Sequence, residues 1–280
     1  MMTIDAIIKN ALAEDLGDGD HSSLATVPGK ATGRAILVTR QTGILAGINI
    51  AEKVFLAVDP HLQFNTFFSD GAKITVGDNI FEVSGSSVSI LSGERTALNF
   101  IQRMSGIATY TNMLVNKLEG LNTKVLDTRK TTPNFRLLEK EAVLIGGGVN
   151  HRMGLYDMIM IKDNHIDFAG GIRKAIEATH AYLEKKNLSL KIEIEVRNLE
   201  ELDEVLNAGS VDRIMLDNFS IPAMGKAIQH IHGRYETEAS GGITEHNIRA
   251  YAETGVDYIS VGALTHQIKS LDMSLKALKS

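Results

Sequence analysis

The sequence contains no cysteine. Disulfide bonds, thiolate metal sites and cysteine nucleophiles are therefore excluded, and a reducing compartment is favoured. Long apolar runs are also missing, since none reaches the roughly 18 residues that a transmembrane helix needs. The segment Met1 to Asp15 carries acids and no apolar stretch followed by small residues, which argues against a secretory signal. We expect a cytoplasmic protein with no membrane partner.

The sequence has no excess of positive charge either, since its formal net charge is −5. This balance disfavours general nucleic-acid binding. Any bound anion must be attracted by local cations, since the overall field is weakly repulsive. The 280 residues, of which 44% are apolar, suffice for one α/β barrel with or without a smaller second domain.

The first hundred residues have the pattern of a compact α+β domain. Short runs with period-two alternation are bounded by Gly, Asp and Asn, which is typical of small strands and turns. A helix is predicted around Ile50 to Val58 and ends before Asp59-Pro60, because the residue before proline avoids the helical region. The predicted strand runs are Ala35–Thr39, Gly43–Gly47, Lys73–Gly77 and Ile80–Gly85.

A long helix is predicted next, over Gly93 to Leu118. Its apolar residues recur at steps of three and four, which marks one buried stripe. The stripe consists of Leu98, Ile101, Met104, Ile107 and Ala108.

From Thr123 the pattern becomes strand, polar loop and helix, repeated. The last four predicted strands begin 22 or 23 residues apart, which is the length of one βα unit and predicts a parallel sheet with helices outside. Because six strands are visible, the predicted fold is an incomplete parallel α/β barrel. The final segment, Leu271 to Lys279, is amphipathic and is expected to pack on the first domain. The predicted strands are Lys124–Asp127, Met158–Ile161, Lys191–Val196, Arg213–Leu216, Glu236–Ala239 and Tyr258–Val261.

Cations follow the first two of these strands. Active sites of parallel barrels lie where strands end and loops begin. Thr128-Arg129-Lys130 stands after the first strand, and Lys162 stands directly after the second. Between them, a run of three glycines from Gly146 permits close backbone approach and positive φ, and His151-Arg152 adds two donors. Together these residues predict an anion pocket.

Acidic residues end the next two strands. Glu193 and Glu195 alternate with branched residues, so both are predicted to point into the barrel. A buried carboxylate is too unfavourable to be idle. Glu193 either pairs with an interior cation or serves the site, whereas Glu195, nearer the mouth, is assigned to function. Asp217 repeats this placement after the following strand, and such a pair suits Mg²⁺ or sugar hydroxyls.

Small residues end the last two strands, at Ser240-Gly241-Gly242 and at Val261-Gly262-Ala263. Phosphate sites in barrels recur at these two positions, where backbone N–H groups meet a helix N-terminus. A cationic pocket, a carboxylate pair and a phosphate cradle together indicate an enzyme that joins a small acidic molecule to a phosphorylated sugar.

Ten stretches, in order and over nearly the whole chain, resemble the quinolinate phosphoribosyltransferase family, and the longer ones are highly specific. One position departs from the family pattern, since Leu144 stands where a basic residue is common; we interpret this as a lost peripheral contact. The matching stretches are Glu14–Asp20, Gly93–Asn99, Asp127–Pro133, Gly146–Arg152, Gly154–Asp157, Ile161–His165, Glu193–Val196, Leu216–Asn218, Glu238–Ile243 and Ser260–His266.

The resemblance implies an N-terminal α/β sandwich domain, residues 1–107 joined by the C-terminal segment 268–280, and an α/β barrel catalytic domain, residues 108–267. It implies a homodimer in which Arg95 is donated across the interface. It also implies phosphoribosyl transfer from phosphoribosyl pyrophosphate to quinolinate, with Mg²⁺ and with decarboxylation, in NAD biosynthesis. A cation in a helix's first turn opposes the macrodipole, so the predicted helix start at Gly93 is a second reason to assign Arg95 to function.

The resemblance divides the site into three sets of residues. The cations expected to hold the two carboxylates of quinolinate are Arg129, Lys130, His151, Arg152 and Lys162. The residues expected to face the ribose and Mg²⁺ are Glu195 and Asp217. Those expected at the 5′-phosphate are Ser240, Gly241, Gly242 and Gly262, with Thr128, Val261 and Ala263 as further substrate contacts. The predicted catalytic residues are Lys130, Lys162, Glu195 and Asp217.

Other functions are compatible with parts of this pattern. A Schiff-base aldolase also has a lysine at a barrel strand end, as Lys162 is, but it leaves the additional cations unexplained. A paralogue linked to molybdenum transport shares the fold and could keep the sugar-phosphate site with a different acceptor. A biotinyl or lipoyl carrier is disfavoured, because Lys73 lies within a predicted strand and not at a hairpin tip.

Overall fold

The structure of the protein is a computed structural model in which residues 3–278 are described. Contacts between Cα atoms divide the chain into two compact units. The first unit comprises Met1–Asn112, Thr131–Gly147 and Leu264–Ser280, and the second comprises Met113–Lys130 and Gly148–Ala263. Residues 131–147, which the sequence assigns to the barrel domain, thus belong by their contacts to the first unit. The predicted domain limits at 107/108 and 267/268 remain predictions.

The elements are numbered in chain order. The helices are α1 (Ile4–Leu16), α2 (His21–Thr26), α3 (Ile48–Val58), α4 (Ser87–Lys117), α5 (Arg136–Ile145), α6 (Asp163–Ala169), α7 (Ile172–Lys186), α8 (Leu199–Ala208), α9 (Ile221–Ile231), α10 (Ile248–Ala252) and α11 (Ala263–His266). The strands are β1 (Thr32–Thr39), β2 (Gly43–Ile44), β3 (Gln63–Thr66), β4 (Lys73–Ile74), β5 (Asn79–Ser86), β6 (Lys124–Leu126), β7 (Ile159–Ile161), β8 (Ile192–Val196), β9 (Arg213–Asp217), β10 (Glu236–Ser240), β11 (Tyr258–Ser260) and β12 (Met273–Leu278).

The first unit contains an antiparallel sheet with the strand order β12-β1-β5-β3. In β1, Ala35, Leu37 and Thr39 are buried and their neighbours are not, which is the alternation expected of a strand with one face on the core. The final segment forms β12, and Leu275 pairs with Leu37. Its predicted packing on the first domain is therefore confirmed for residues 273–278, whereas Lys279 lies outside the described residues.

An aromatic cluster joins α3 to two strands of this sheet. The ring centroids of Phe64 and Phe81 are 4.4 Å apart, and each lies 6.0 Å from the ring centroid of Phe55. Such contacts add about 0.5–1.5 kcal/mol per pair to the burial of the rings themselves. The predicted helix at Ile50 to Val58 is confirmed, with its start two residues earlier.

Helix α4 buries the whole predicted stripe, since all five of its residues are at most 4% exposed. The helix begins at Ser87, however, and not at Gly93. Arg95 is therefore the ninth residue and lies in the third turn, beyond the reach of the terminal dipole. The electrostatic argument for Arg95 is wrong for this reason. Within residues 3–278, neither α4 nor any other helix combines the length and hydropathy needed to cross a membrane.

The second unit is built on a six-stranded parallel sheet with the order β6-β11-β10-β9-β8-β7. All six predicted strands are present, and each differs from its predicted bounds by one residue at one end. All five residues of β8 are buried, as expected for a parallel strand covered on both faces. Among the described residues no ladder joins β6 to β7, so the barrel is incomplete, as predicted.

The aromatic cluster generates a stability prediction. Phe81→Ala removes a side chain that is 1% exposed and should reduce the free energy of unfolding by about 3–5 kcal/mol. The matched control is Phe67→Ala, since Phe67 is 54% exposed and its loss should change stability by less than about 0.5 kcal/mol. Urea denaturation followed by circular dichroism measures both, and equal transition midpoints would contradict the assigned core.

Candidate active site

A cavity of about 420 Å³ lies at the carboxyl ends of the parallel strands, within the size range of small-molecule sites. Nine of the predicted site residues line it together. They are Thr128, Arg129, Lys130, His151, Arg152, Lys162, Glu195, Asp217 and Ser240. The cavity lining does not include Gly241, Gly242, Val261, Gly262 and Ala263, which directly follow β10 and β11, or Arg95, which lies on α4 in the first unit.

Four further residues line the cavity that the sequence did not identify as site residues: Met160, Met215, Glu238 and Ser260. A signal for Glu238 was present in the sequence, because it stands two residues before Ser240 and therefore on the same face of β10. In the sheet, Met215 on β9 is the register partner of Glu238 on β10 and of Glu195 on β8. These three side chains thus form one layer across the sheet.

The cations occupy one side of the cavity. Arg152 donates from Nη1 to the carbonyl oxygen of Met158 at 3.1 Å, which holds the guanidinium near the strand. The pKa of Arg152 is lowered from its ordinary value. Burial is the larger cause, and the positive charge of Arg129 is the second. Two arginines that repel each other in a partly desolvated place are stabilised by a bound anion. The mutual repulsion of Arg129 and Arg152 therefore supports the predicted anion pocket.

Acidic groups occupy the adjoining side. Lys162 Nζ lies 2.7 Å from Glu195 Oε2, so one cation of the pocket contacts one of the predicted mouth carboxylates. Asp217, at the end of β9, accepts a hydrogen bond from Asn218 Nδ2 at 2.6 Å. Glu195 and Asp217, which we call the mouth carboxylates, line the same cavity. Its two sides therefore meet at the Lys162–Glu195 ion pair.

His151 is buried at the base of the cavity. Its Nε2 lies 2.9 Å from Glu193 Oε2 and 3.5 Å from Glu238 Oε2. Its Nδ1 accepts a hydrogen bond from the backbone N–H of Arg152 at 2.6 Å. The interior partner of Glu193, which the sequence left open as a lysine or arginine, is thus a histidine.

Glu193 and Glu238, which we call the buried carboxylates, are both inaccessible to solvent. Burial raises the pKa of Glu193. Burial, and then the charge of Glu193, raises the pKa of Glu238 to about 8. Arg213 donates from Nη1 to Glu238 Oε2 at 3.3 Å and so provides a positive charge next to this side chain.

The loop after β10 requires its first glycine. Gly241 has a φ of 95°, which side chains rarely adopt. A Cβ atom there would lie 2.1 Å from Asn218 Oδ1. Asn218 in turn donates its backbone N–H to the carbonyl oxygen of Ser240 at 2.8 Å. This hydrogen bond and the close packing of Gly241 against Asn218 therefore join the ends of β9 and β10 beside the cavity.

The triple glycine has a packing role. A Cβ atom on Gly146 would lie 2.5 Å from the carbonyl oxygen of Ala108 on α4, and Gly147 has a φ of 91°. The predicted need for close approach and positive φ is confirmed. Gly146 thus approaches α4 within the first unit, and none of the three glycines lines the cavity.

A larger groove of about 740 Å³ lies in the first unit, but its chemistry is different. Its lining includes Glu14, Asp15 and several amide side chains, with Arg103 as the cation. Arg103 already contacts Glu139 at 2.8 Å. This groove therefore lacks the cation cluster that a small dianion requires, and the smaller cavity is the candidate active site.

Two family models match the chain almost from end to end. Residues 20–105 match the N-terminal domain of quinolinate phosphoribosyl transferase, and residues 107–276 match its C-terminal domain. The chain belongs to the quinolinate phosphoribosyl transferase family.

Relatives within the quinolinate phosphoribosyl transferase family extend over nearly the whole chain. The chloroplastic nicotinate-nucleotide pyrophosphorylase (carboxylating) of Oryza sativa subsp. japonica is 46% identical, over 98% of this chain and 77% of the relative. The probable nicotinate-nucleotide pyrophosphorylase (carboxylating) of Bacillus subtilis (strain 168) is 42% identical, over 98% and 93% respectively. The crystal structure of NadC from Streptococcus pyogenes has a TM-score of 0.93 at 43% identity, covering 99% of this chain and 97% of that one. The predicted fold and family are thereby confirmed.

The buried carboxylates give this protein a testable pH dependence. The pKa of Glu238 is raised from 4.5 to about 8 in the folded state. Its stabilising contribution is complete below about pH 4.5 and is lost as the pH rises towards 8, because the unfolded chain releases a proton that the folded chain retains. Glu238→Gln cannot titrate, so its stability relative to wild type should increase between about pH 5 and pH 8.

Urea denaturation at a series of pH values measures this difference. The control is Glu236→Gln, a change on the same strand at a partly exposed side chain. If the stability curves of Glu238→Gln and wild type stay parallel across this range, the raised pKa is contradicted.

Proposed function

We propose that this protein carries out the reaction of its family, the transfer of a phosphoribosyl group from phosphoribosyl pyrophosphate to quinolinate with decarboxylation. The products are nicotinate mononucleotide, pyrophosphate and CO₂, and the reaction belongs to NAD biosynthesis. The curated relatives carry the name of this enzyme, which separates it from the aldolase and molybdenum-transport alternatives. The cytoplasmic location remains a prediction, and the rice relative is named as chloroplastic.

One observation carries the assignment of the site. One cavity has two sides of opposite charge. Its cationic side is lined by Arg129, Arg152 and Lys162, and its acidic side by Glu195 and Asp217. The 2.7 Å contact between Lys162 and Glu195 joins the two sides. A reaction between a dianionic acceptor and a polyhydroxylated, phosphorylated donor requires both kinds of surface next to each other.

The cationic side suits the acceptor. Arginine offers a planar fork that matches a carboxylate, and lysine offers a compact charge. Arg129 and Arg152 are close enough for one to lower the pKa of the other, so a ligand with two neighbouring carboxylates relieves their repulsion. We assign the two carboxylates of quinolinate to Arg129, Lys130, His151, Arg152 and Lys162, all of which line the cavity.

The acidic side suits the sugar. Carboxylates accept hydrogen bonds from ribose hydroxyls, and Glu195 and Asp217 end neighbouring strands. Ser240 lines the cavity next to Asp217, its register partner. We assign the 5′-phosphate to the loop from Ser240 to Gly242, with Gly262 from the neighbouring strand end. The positive φ values of Gly241 and Gly242 are those of a backbone that can turn its N–H groups towards an anion.

The mouth carboxylates also fit Mg²⁺. This ion prefers oxygen ligands and is commonly held by one or two carboxylates together with substrate phosphates and water. Glu195 and Asp217 offer such a donor set in one cavity. When bound, Mg²⁺ would neutralise charge on the pyrophosphate of the donor. We propose Glu195 and Asp217 as its ligands.

The protein contributes mainly position and charge to the chemistry. Pyrophosphate leaves C1′ through an oxocarbenium-like state, and the pyridine nitrogen of quinolinate adds there. The positive charge on the resulting pyridinium nitrogen stabilises the electron pair that remains at C2 when CO₂ departs, and a proton from solvent then adds at C2. Holding the two reactants in line can lower the barrier by up to about 7–11 kcal/mol. The carboxylate-binding cations orient the ring nitrogen, and the mouth carboxylates stabilise positive charge that develops on the ribose.

Replacement of the pocket cations tests the proposed function. Arg129→Ala and Lys162→Ala should each reduce the formation of nicotinate mononucleotide by at least about 100-fold, the scale for removing one charge directed at a reacting group. Circular dichroism should remain that of the wild type, because both side chains lie at the cavity and not in the core. The matched control is Arg173→Ala, an exposed arginine of α7, which should retain wild-type turnover.

A wild-type protein that forms no ribosylated product at saturating quinolinate, phosphoribosyl pyrophosphate and Mg²⁺ would refute the function. Full activity of both Arg129→Ala and Lys162→Ala would instead refute the pocket assignment alone.

We also propose that the enzyme is a homodimer and that Arg95 serves the partner's site. Arg95 is exposed on α4, so its side chain is accessible to a second subunit. It lies in a stretch that resembles the family, Gly93 to Asn99. The proposal rests on the resemblance and on this exposure, since the dipole argument for Arg95 does not hold.

Subunit complementation tests the donation of Arg95. Arg95→Ala and Arg129→Ala should each be inactive as homodimers. A hybrid of the two contains one site with both arginines intact, so random reassortment should restore roughly a quarter of wild-type activity in a two-fold symmetric dimer. Turnover is measured after mixing and reassociation. Mixtures that stay inactive despite hybrid formation would place Arg95 outside the partner's site.

A further inference from the structure

We infer that Asn218 is a positioning residue for the donor, which holds the Asp217 carboxylate and the loop from Ser240 to Gly242 at a fixed separation. We call this loop the phosphate loop. The inference rests on the proposed function and adds a residue to its donor side. The cavity lining does not include Asn218, and its role follows from the contacts that it makes at the ends of β9 and β10.

The side-chain amide of Asn218 holds Asp217. Nδ2 donates to Asp217 Oδ2 at 2.6 Å, so a carboxylate that lines the cavity has a fixed partner at one of its oxygens. A carboxylate only accepts hydrogen bonds, and only the nitrogen of an amide side chain can donate to it. The orientation of the amide is therefore determined, and Oδ1 lies against Gly241, where an added Cβ atom would be 2.1 Å from it.

The main chain of Asn218 holds the end of the neighbouring strand. Its N–H donates to the carbonyl oxygen of Ser240 at 2.8 Å, directly after the last register pair of the two strands, Asp217 with Ser240. Ser240 begins the phosphate loop and lines the cavity. One residue therefore contacts both the carboxylate assigned to the ribose and the loop assigned to the 5′-phosphate.

The backbone conformation of Asn218 allows both contacts. Its φ is 55°, in the left-handed region that few residues other than glycine adopt and that asparagine adopts more readily than most. The next residue, Phe219, is buried, and its carbonyl oxygen accepts a hydrogen bond from the Tyr251 hydroxyl at 2.9 Å. The turn is thus held on both sides, and an uncommon conformation that its surroundings maintain is frequent at functional positions.

The two groups that Asn218 joins serve one molecule. In the proposed function, Asp217 faces the ribose of phosphoribosyl pyrophosphate and the phosphate loop faces its 5′-phosphate. Both parts of the donor must be met at once, so displacement of either group weakens the binding of the whole molecule. Cations of the acceptor side follow β6 and β7, which are the edge strands of the sheet, whereas Asn218 follows the interior strand β9. Loss of the amide should therefore affect the donor alone.

Asn218→Gly isolates the side chain, because glycine also adopts a φ of 55° and keeps the backbone N–H. Isothermal titration calorimetry with ribose 5-phosphate measures the donor side without pyrophosphate or turnover. Its Kd should rise about tenfold, the scale for one lost hydrogen bond to a charged group. The acceptor side is measured with phthalate, a benzene ring with two neighbouring carboxylates. The Kd of phthalate should stay within about twofold of wild type, since its site is separate.

The matched control is Asn187→Gly. Asn187 is also an asparagine with a left-handed backbone, at a φ of 50°, but it ends helix α7, where this conformation is usual. Its replacement should leave both dissociation constants and the midpoint of urea denaturation as in wild type. Asn218→Asp is the second variant at the site. It keeps the size of the side chain but places a negative charge against Asp217, so it should bind ribose 5-phosphate no better than Asn218→Gly.

Steady-state kinetics of the full-length enzyme extend the test to the reaction. In Asn218→Gly the KM for phosphoribosyl pyrophosphate should rise about tenfold and the KM for quinolinate should stay within about twofold of wild type. The double variant of Asp217→Ala with Asn218→Gly should bind ribose 5-phosphate no more weakly than Asp217→Ala alone, because the amide acts through Asp217.

A wild-type Kd for ribose 5-phosphate in either Asn218 variant would overturn the inference. Equal weakening of ribose 5-phosphate and phthalate would show a general loss of structure and would overturn it too, as would losses that multiply in the double variant. Absence of ribose 5-phosphate binding by wild type would have the same consequence. A wild type that binds ribose 5-phosphate with the expected dependence on Asn218, but forms no nicotinate mononucleotide, would refute the proposed function and leave the positioning role intact.

Discussion

The inner face of the parallel sheet carries ionisable residues that water does not reach, and each of them needs a partner within the protein. Glu193 and Glu238 face His151, Glu238 also accepts from Arg213, and Glu195 contacts Lys162. An unpaired buried charge is strongly destabilising. The positions of these partners therefore determine how the loops above the sheet are held, and the loops carry the cations of the cavity.

Charge in the cavity changes from positive to negative over a short distance. The overall charge of the protein is negative, so attraction of a dianionic acceptor depends on the local group of Arg129, Arg152 and Lys162. In the proposed function, the acceptor and the donor meet where Lys162 contacts Glu195. A side chain at this boundary can contact the acceptor while it holds the carboxylate that faces the ribose.

The strand-end rule identified much of the cavity lining from sequence. Arg129, Lys162, Glu195 and Asp217 were found because parallel strands bring their carboxyl ends to one edge. Glu238 did not follow from this rule, because it lies within β10, two residues before Ser240, and not at the strand end. The dipole argument for Arg95 failed because α4 begins six residues before its predicted start, in a serine-rich stretch with little apolar periodicity. The glycines from Gly146 were rightly predicted to allow close approach, but sequence gave no indication that the neighbour is α4.

The sequence by itself determined the order of elements, the parallel sheet, the family and most of the ionisable groups of the cavity. These properties follow from local periodicity and from motifs whose members are near one another in the chain. Only the tertiary structure decided which charges face which. His151, Glu193, Arg213 and Glu238 come from separate strands and loops, and their contacts depend on the register of the sheet. The register between these strands, which are far apart in the chain, is specified by which of their faces become buried in the folded unit.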